Sequence, residues 1–289
     1  MSEPGPSPLS PAALATLEQQ RLANASGVEH FAHFDGHREQ TTRLVTAPPR
    51  HGAETLCVLG AGNAQDLELE RLFERFAWVH LVDIDPEALA RARARLTEPL
   101  EPRLVLHAPV DLSGLFHDIE RFRRLQVTAD DLVRAPAAGA RRIASALPGP
   151  FDVVASTCLL TQLQLSLLSL LGENHRLFVV LRELLSLTHL RTLAALCRPG
   201  GHAVLITDLC ELAPNDASLP ADLTLHMAEV VSKGQVVHSA HPTLIEHAVK
   251  SDPVLCRAFG AAQPSAPWLW KNGPERRFLV YGFTLPRLA

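Results

Sequence analysis

The chain has 289 residues, a formal net charge of −4 and 47% apolar residues, enough for one large domain or two small ones around a sizeable core. That charge argues against a protein whose main task is to grip phosphate backbones, so nucleic acid is not the expected partner. The five cysteines are scattered without a C-x-x-C pair, which points to free thiols and a cytoplasmic protein.

The N-terminus is rich in proline and serine rather than basic and then apolar, so no signal peptide is expected. Residues 1–10 should form a disordered tail. Helices are expected over 11–24 and 28–46, and Pro48 and Pro49 end this region; residues 11–52 are taken as an N-terminal helical cap. From Thr55 strand and helix patterns alternate. "TLCVLG" is a short continuous apolar run, as in a strand buried on both faces. It meets Gly60-Ala61-Gly62-Asn63, and a helix follows in which Leu67, Leu69, Leu72, Phe73 and Phe76 share a face, with Asp66 as its expected cap. Backbone N–H groups at such a loop favour a negatively charged ligand group.

"WVHLVD" at 78–83 is the second strand. Asp85-Pro86-Glu87 then starts a helix, with Asp85 as N-cap and proline in the first turn. Residues 103–107 form a third strand. Residues 113–146 look helical, with breaks expected near Pro136 and Gly139. "FDVVAST" at 151–157 is a fourth strand. The leucine-rich stretch after it is interrupted by Gln162 and Gln164 and reads as a buried helix, too short to span a bilayer. A long helix from about 176 stops at "RPGG", and "HAVLITD" at 202–208 is a fifth strand. Residues 209–252 form an insertion, long for a connection and suited to a lid. Two apolar runs, Trp268–Trp270 and Arg277–Thr284, flank a turn with Asn-Gly and read as a β-hairpin.

In this order, four motifs resemble those of class I S-adenosylmethionine-dependent methyltransferases over residues 53–285. "VLGAGNAQDL" is similar to the glycine-rich first motif, and "VHLVDIDPEAL" to the second strand with its ribose-binding acid. "FDVVASTCLL" resembles the fourth-strand motif, and "LCRPGGHAVLITD" the turn before the fifth strand. The resemblance implies an α/β fold: a doubly wound, seven-stranded, mostly parallel Rossmann-like sheet in the order 3-2-1-4-5-7-6 with an antiparallel last strand, residues 53–289 forming the catalytic domain. It also implies S-adenosylmethionine as cofactor and methyl transfer as the reaction, with a small molecule as acceptor.

The cofactor residues implied are Gly60, Ala61, Gly62, Asn63, Asp83, Ile84, Asp111, Leu112 and Ser156. Each has a second reading. Gly60 suits a tight strand-to-helix turn equally well. Asp83 can accept hydrogen bonds from both ribose hydroxyls or be a strand-end acid. Asp111 can accept from the adenine amino group or cap a helix. Ser156 and Thr157 end the fourth strand, where the family faces the reacting sulfonium. His30, His33 and His37 can share a helix face as candidate bases, or be ordinary histidines of a half-buried helix. They lack a carboxylate-rich context, so no metal site is expected. The sequence departs from the family at Val58, where an acid is common, and at Ala64, where a third glycine is usual. Two other readings stay open: an NAD(P)-dependent oxidoreductase, against which Gln65 stands in the third-glycine position of G-x-G-x-x-G, and a non-catalytic S-adenosylmethionine-binding module.

Overall fold

The computed structural model describes residues 11–49, 54–98, 100–213 and 222–289. The expected tail at 1–10, the cap boundary at 50–53 and part of the insertion, 214–221, lie outside the described residues.

The strands are β1 (Glu54–Leu59), β2 (Phe76–Val82), β3 (Leu104–His107), β4 (Phe151–Thr157), β5 (Cys197–Leu212), β6 (Gln263–Pro264), β7 (Trp268–Lys271) and β8 (Arg277–Pro286). The sheet order is β3-β2-β1-β4-β5-β8-β6, with β7 also on β8. β1 to β5 pair in parallel, and β8 runs antiparallel between β5 and the short edge strands. The last strand thus inserts where expected. The sheet has eight strands rather than seven because the edge is split. Ser265 bonds the Gly282 backbone through its own N–H (2.8 Å) and through Oγ (2.9 Å), and Pro267, two residues on, has no N–H to offer the ladder.

The helices are α1 (Pro11–Gly27), α2 (Asp35–Thr46), α3 (Leu69–Arg75), α4 (Pro86–Arg93), α5 (Ile119–Arg123), α6 (Ala129–Ser145), α7 (Leu159–Leu171), α8 (Phe178–Leu196), α9 (Leu223–Ser232), α10 (Pro242–Ser251) and α11 (Leu255–Ala258). They cover both faces of the sheet and make two cores, as a parallel sheet requires. One holds Leu163, Leu167, Leu185 and Leu193 against Val154 and Leu205; the other holds Leu72, Phe73 and Leu89 against Leu56 and Val79.

Four expectations need correction. Residues 28–46 are not one helix: Val28–Phe34 is a 3-10 segment, and α2 begins at Asp35. α6 runs unbroken through Pro136. The proline leaves the Leu132 carbonyl without its helix donor, but the helix is anchored by a Thr128–Asp131 capping box and by packing on α8. Gly139 is there for close approach rather than as a breaker, since a Cβ on it would sit 2.8 Å from the Gly114 carbonyl oxygen. Asp66 does not cap α3, which starts at Leu69 after Glu68 without a side-chain cap. β5 is longer than residues 202–208 at both ends: Cys197 pairs with Phe151 of β4 at one end, and β8 pairs with it as far as Leu212 at the other. The described part of the insertion packs Val230, Ile245 and Val249 into the first core.

Candidate active site

At the carboxyl ends of β1, β2 and β4, α1 lies across an open cavity. Ligands of open α/β sheets bind in this position. The cavity wall takes Gln19, Ala23 and Asn24 from α1, the loop Gly60–Asn63, Asp83, and Gln162 from α7. A smaller hollow opens from it past Gly60 and Asp83 and is lined by Ile84, Val110, Asp111, Leu112, Phe116 and Leu163.

The loop is built by its glycines. Gly60 has φ +70°, and a Cβ on it would lie 2.8 Å from Leu159 Cδ1; Gly62 has φ +49°. Both angles lie where side chains are disfavoured. The Gly62 N–H donates to Asp83 Oδ2 (2.8 Å), and the Asp85 N–H donates to Asp83 Oδ1 (2.9 Å). Asp83 is therefore fixed at the junction of cavity and hollow. Burial pushes its carboxyl up to about 6, although these N–H groups pull the other way. Asp85 caps α4 by accepting from the Glu87 N–H (3.0 Å). Asp111 Oδ1 accepts from the Ser113 N–H (2.9 Å) and hydroxyl (2.6 Å), leaving its second oxygen available. Burial raises the Asp111 carboxyl as well.

α1 is held over the cavity mainly by polar ties. Asn63 Nδ2 donates to the Asn24 carbonyl (2.7 Å), Gln65 Nε2 to the Gly27 carbonyl (2.9 Å), and Asn24 Nδ2 to Asp85 Oδ2 (2.9 Å). On the other side, Gln19 Nε2 donates to Ser169 Oγ on α7 (2.7 Å). Leu17 packs on Ile84 in a small apolar contact of its own. The Asn63 side chain, read as a cofactor contact, is committed to this roof: its Oδ1 accepts from Arg91 Nε (2.8 Å).

The other end of the cavity is aromatic and acidic. Phe34, Trp270 and Phe278 line it together with Asp66, Cys158, Thr161 and Asp208. Trp270 contacts Phe34 at 5.4 Å and Phe278 at 5.1 Å between ring centroids. His37 stacks on Trp270 at 4.7 Å, accepts from Trp268 Nε1 (3.0 Å), and brings Nε2 to 3.4 Å from Asp66 Oδ1. Thr161 donates to Asp208 Oδ1 (2.5 Å), and burial raises the Asp208 carboxyl. The Cys158 thiol is also raised by burial, so it is no thiolate nucleophile.

The three histidines are not brought to one face. His30 and His33 lie in the 3-10 segment with rings 5.8 Å apart, and His37 is buried behind Trp270. Ser156 and Thr157 are buried in β4 rather than on the cavity wall. The strand turns Ser156 Oγ away to His189 Nε2 on α8 (2.8 Å), and burial lowers that imidazole to about 4. Sequence reasoning missed Asp208, Thr161, Trp270 and Phe278 as wall residues. The one signal available was an acid at the carboxyl end of the fifth strand.

The described residues hold no cluster of three or more His, Cys, Asp or Glu fit for a metal ion. Among them, no helix is long and apolar enough to cross a membrane.

No protein-family model matches the sequence, and no curated protein matches it. Solved structures do resemble it. Haemonchus contortus phosphoethanolamine N-methyltransferase 2, solved with phosphomonomethylethanolamine and S-adenosylhomocysteine, matches with TM-score 0.51 and 11% identity over 98% of this chain and 62% of its own. The S-adenosylmethionine-dependent methyltransferase SibL matches at 0.42 and 16% over 87% of this chain and 55% of its own. A Mesorhizobium loti S-adenosylmethionine-dependent methyltransferase matches at 0.43 and 17% over 86% and 99%. The chain thus spans little more than half the length of SibL and about three fifths of the Haemonchus protein. Together with the mostly parallel sheet into which an antiparallel last strand inserts, the likeness to the Haemonchus methyltransferase shows that the chain shares its Rossmann-like fold.

Proposed function

We propose that the protein is an S-adenosylmethionine-dependent methyltransferase acting on a small-molecule acceptor in the cytoplasm. The observation that carries this reading is Asp83, held by two backbone N–H groups where the glycine loop meets the apolar hollow. A carboxylate oxygen has two acceptor positions, so each Asp83 oxygen can still receive a ribose hydroxyl. The free oxygen of Asp111 suits an adenine amino group, and Ile84, Leu112 and Phe116 suit the faces of a purine. When bound, the cofactor supplies a methyl group activated on a sulfonium. The chain's own task is alignment and exclusion of water, for which α1 forms the roof and the aromatic wall the seat of the acceptor.

A cavity roofed by a helix, in a chain of net charge −4, favours a small acceptor over a long polyanion. Calorimetric titration with S-adenosylhomocysteine tests the cofactor site. Saturable binding that weakens in Asp83→Ala is expected; binding that ignores this substitution would sink the assignment. Methyl transfer to RNA oligonucleotides but to no compound of a small-molecule panel would overturn the acceptor class.

A further inference from the structure

The end of the cavity away from Asp111 has a chemistry that the cofactor site does not explain. Asp66 and Asp208 line it from the loop after β1 and from β5, together with the three rings Phe34, Trp270 and Phe278. Among the described residues Asp208 has no salt-bridge partner, and Asp66 has only His37 at 3.4 Å. Arg276, the cation on this wall, already gives two hydrogen bonds to Glu211 (2.9 and 3.1 Å) and holds its guanidinium 4.9 Å over the Phe278 ring. Among the described residues the indole N–H of Trp270, a side chain 8% exposed, has no hydrogen-bond partner.

Two carboxylates in one cavity repel each other, and burial makes Asp208 costly to keep charged. An anionic acceptor would add to that cost, and a neutral alcohol would neutralise neither. An ammonium relieves both carboxylates. We infer that this end of the cavity is a subsite for an amine, seated with its nitrogen between Asp66 and Asp208. The inference rests on the methyltransferase reading and narrows its acceptor to nitrogen.

The chemistry balances. A proton leaves the ammonium for a carboxylate, Asp208 being the one held by Thr161. The nitrogen lone pair forms the C–N bond as the C–S bond breaks, and the electron pair of that bond stays on sulfur. The positive charge moves from sulfur to nitrogen, where the carboxylates stabilise it as it develops. A competing occupant of the acidic end is the cofactor's own α-ammonium, and the test separates the two.

The test is binding of benzylammonium and benzyl alcohol, followed by tryptophan fluorescence and calorimetry, with and without saturating S-adenosylhomocysteine. Benzylammonium should bind at least about tenfold more tightly than the alcohol. Asp208→Asn should erase that preference while S-adenosylhomocysteine affinity stays within about threefold. Asp66→Asn provides a second variant should the first fail to fold, and it should reduce the preference in the same direction. Equal binding of amine and alcohol, or no amine binding, overturns the subsite while cofactor binding still stands. A parallel loss of S-adenosylhomocysteine binding in Asp208→Asn assigns the carboxylate to the cofactor and also overturns it. Failure of the wild type to bind S-adenosylhomocysteine defeats the methyltransferase reading itself.

Discussion

Asp83→Asn separates the role of this side chain in folding from its role in binding. In the native protein the carboxylate accepts the Gly62 and Asp85 N–H groups at 2.8 and 2.9 Å. Asparagine keeps the shape but can accept at only one end, so one N–H faces an amide donor. An unsatisfied buried donor costs about 1–3 kcal/mol. Against this, the native carboxyl is raised by burial from 3.8 to about 6, which corresponds to a cost of about 3 kcal/mol for keeping it charged at neutral pH. Asparagine carries no such cost. The two effects nearly cancel, and the urea midpoint should hardly move.

Cofactor affinity has no such compensation. Losing a charged acceptor for the ribose hydroxyls should cost about 1.5–3 kcal/mol, a ten- to hundredfold weakening. Wild-type affinity should also decline as pH falls below about 6, where Asp83 takes up a proton, and the variant should lose this dependence. The sign for folding is opposite. Because the folded value lies above the unfolded one, the stability that Asp83 costs at neutral pH is regained as pH falls through about 6 towards 3.8. The assay is calorimetric titration of S-adenosylhomocysteine across this range beside urea unfolding of both proteins. Unchanged affinity in a folded variant would refute the role of Asp83.

Three further outcomes are expected. Arg75 and Glu54 form an ion pair of 2.6 Å with both side chains at most 4% exposed; Glu54→Gln removes the charge from one side of it and should cost more than about 1 kcal/mol in urea unfolding, and a loss below that, the range of exposed pairs, would contradict this. Burial holds His189 neutral, lowered to about 4, so its contribution is complete above the unfolded value of 6.5 and is lost as pH falls from there through about 4. The melting temperature should therefore drop less steeply over this window in His189→Gln, and an identical slope would refute that assignment. Removal of residues 1–27 takes away α1, whose buried apolar contact is Leu17 on Ile84; the core should stay folded and cofactor affinity fall by about tenfold or less, while methyl transfer is lost with the roof. Full transfer by the truncated protein would show that α1 does not enclose the acceptor.

Local signals carried much of the fold. The runs at 151–157 and 159–171 coincide with β4 and α7 because each has a local pattern of its own, a short β-branched run in the first and leucines at helical spacing in the second. The Asp85 cap and the terminal hairpin were legible for the same reason: both are set by neighbouring residues. The misreadings concern long-range partners. β5 is extended by β8, whose pairing reaches from His202 to Leu212, and nothing between 202 and 208 announces that length. Pro136 reads as a break until α8 supplies the packing that overrides it. Ser156 stands at the right place in its motif, yet β4 alternates its side chains, and this one meets His189 across the layer. The acidic and aromatic end of the cavity combines residues 34, 66, 208, 270 and 278, which only the crossing of four separate segments brings together.

The central claim is that the junction of Gly60, Gly62 and Asp83 is an S-adenosylmethionine site. Side-by-side calorimetric titration of the full chain with S-adenosylhomocysteine and with NAD tests it most directly. The account predicts saturable binding of S-adenosylhomocysteine and none of NAD; binding of NAD without S-adenosylhomocysteine would contradict it.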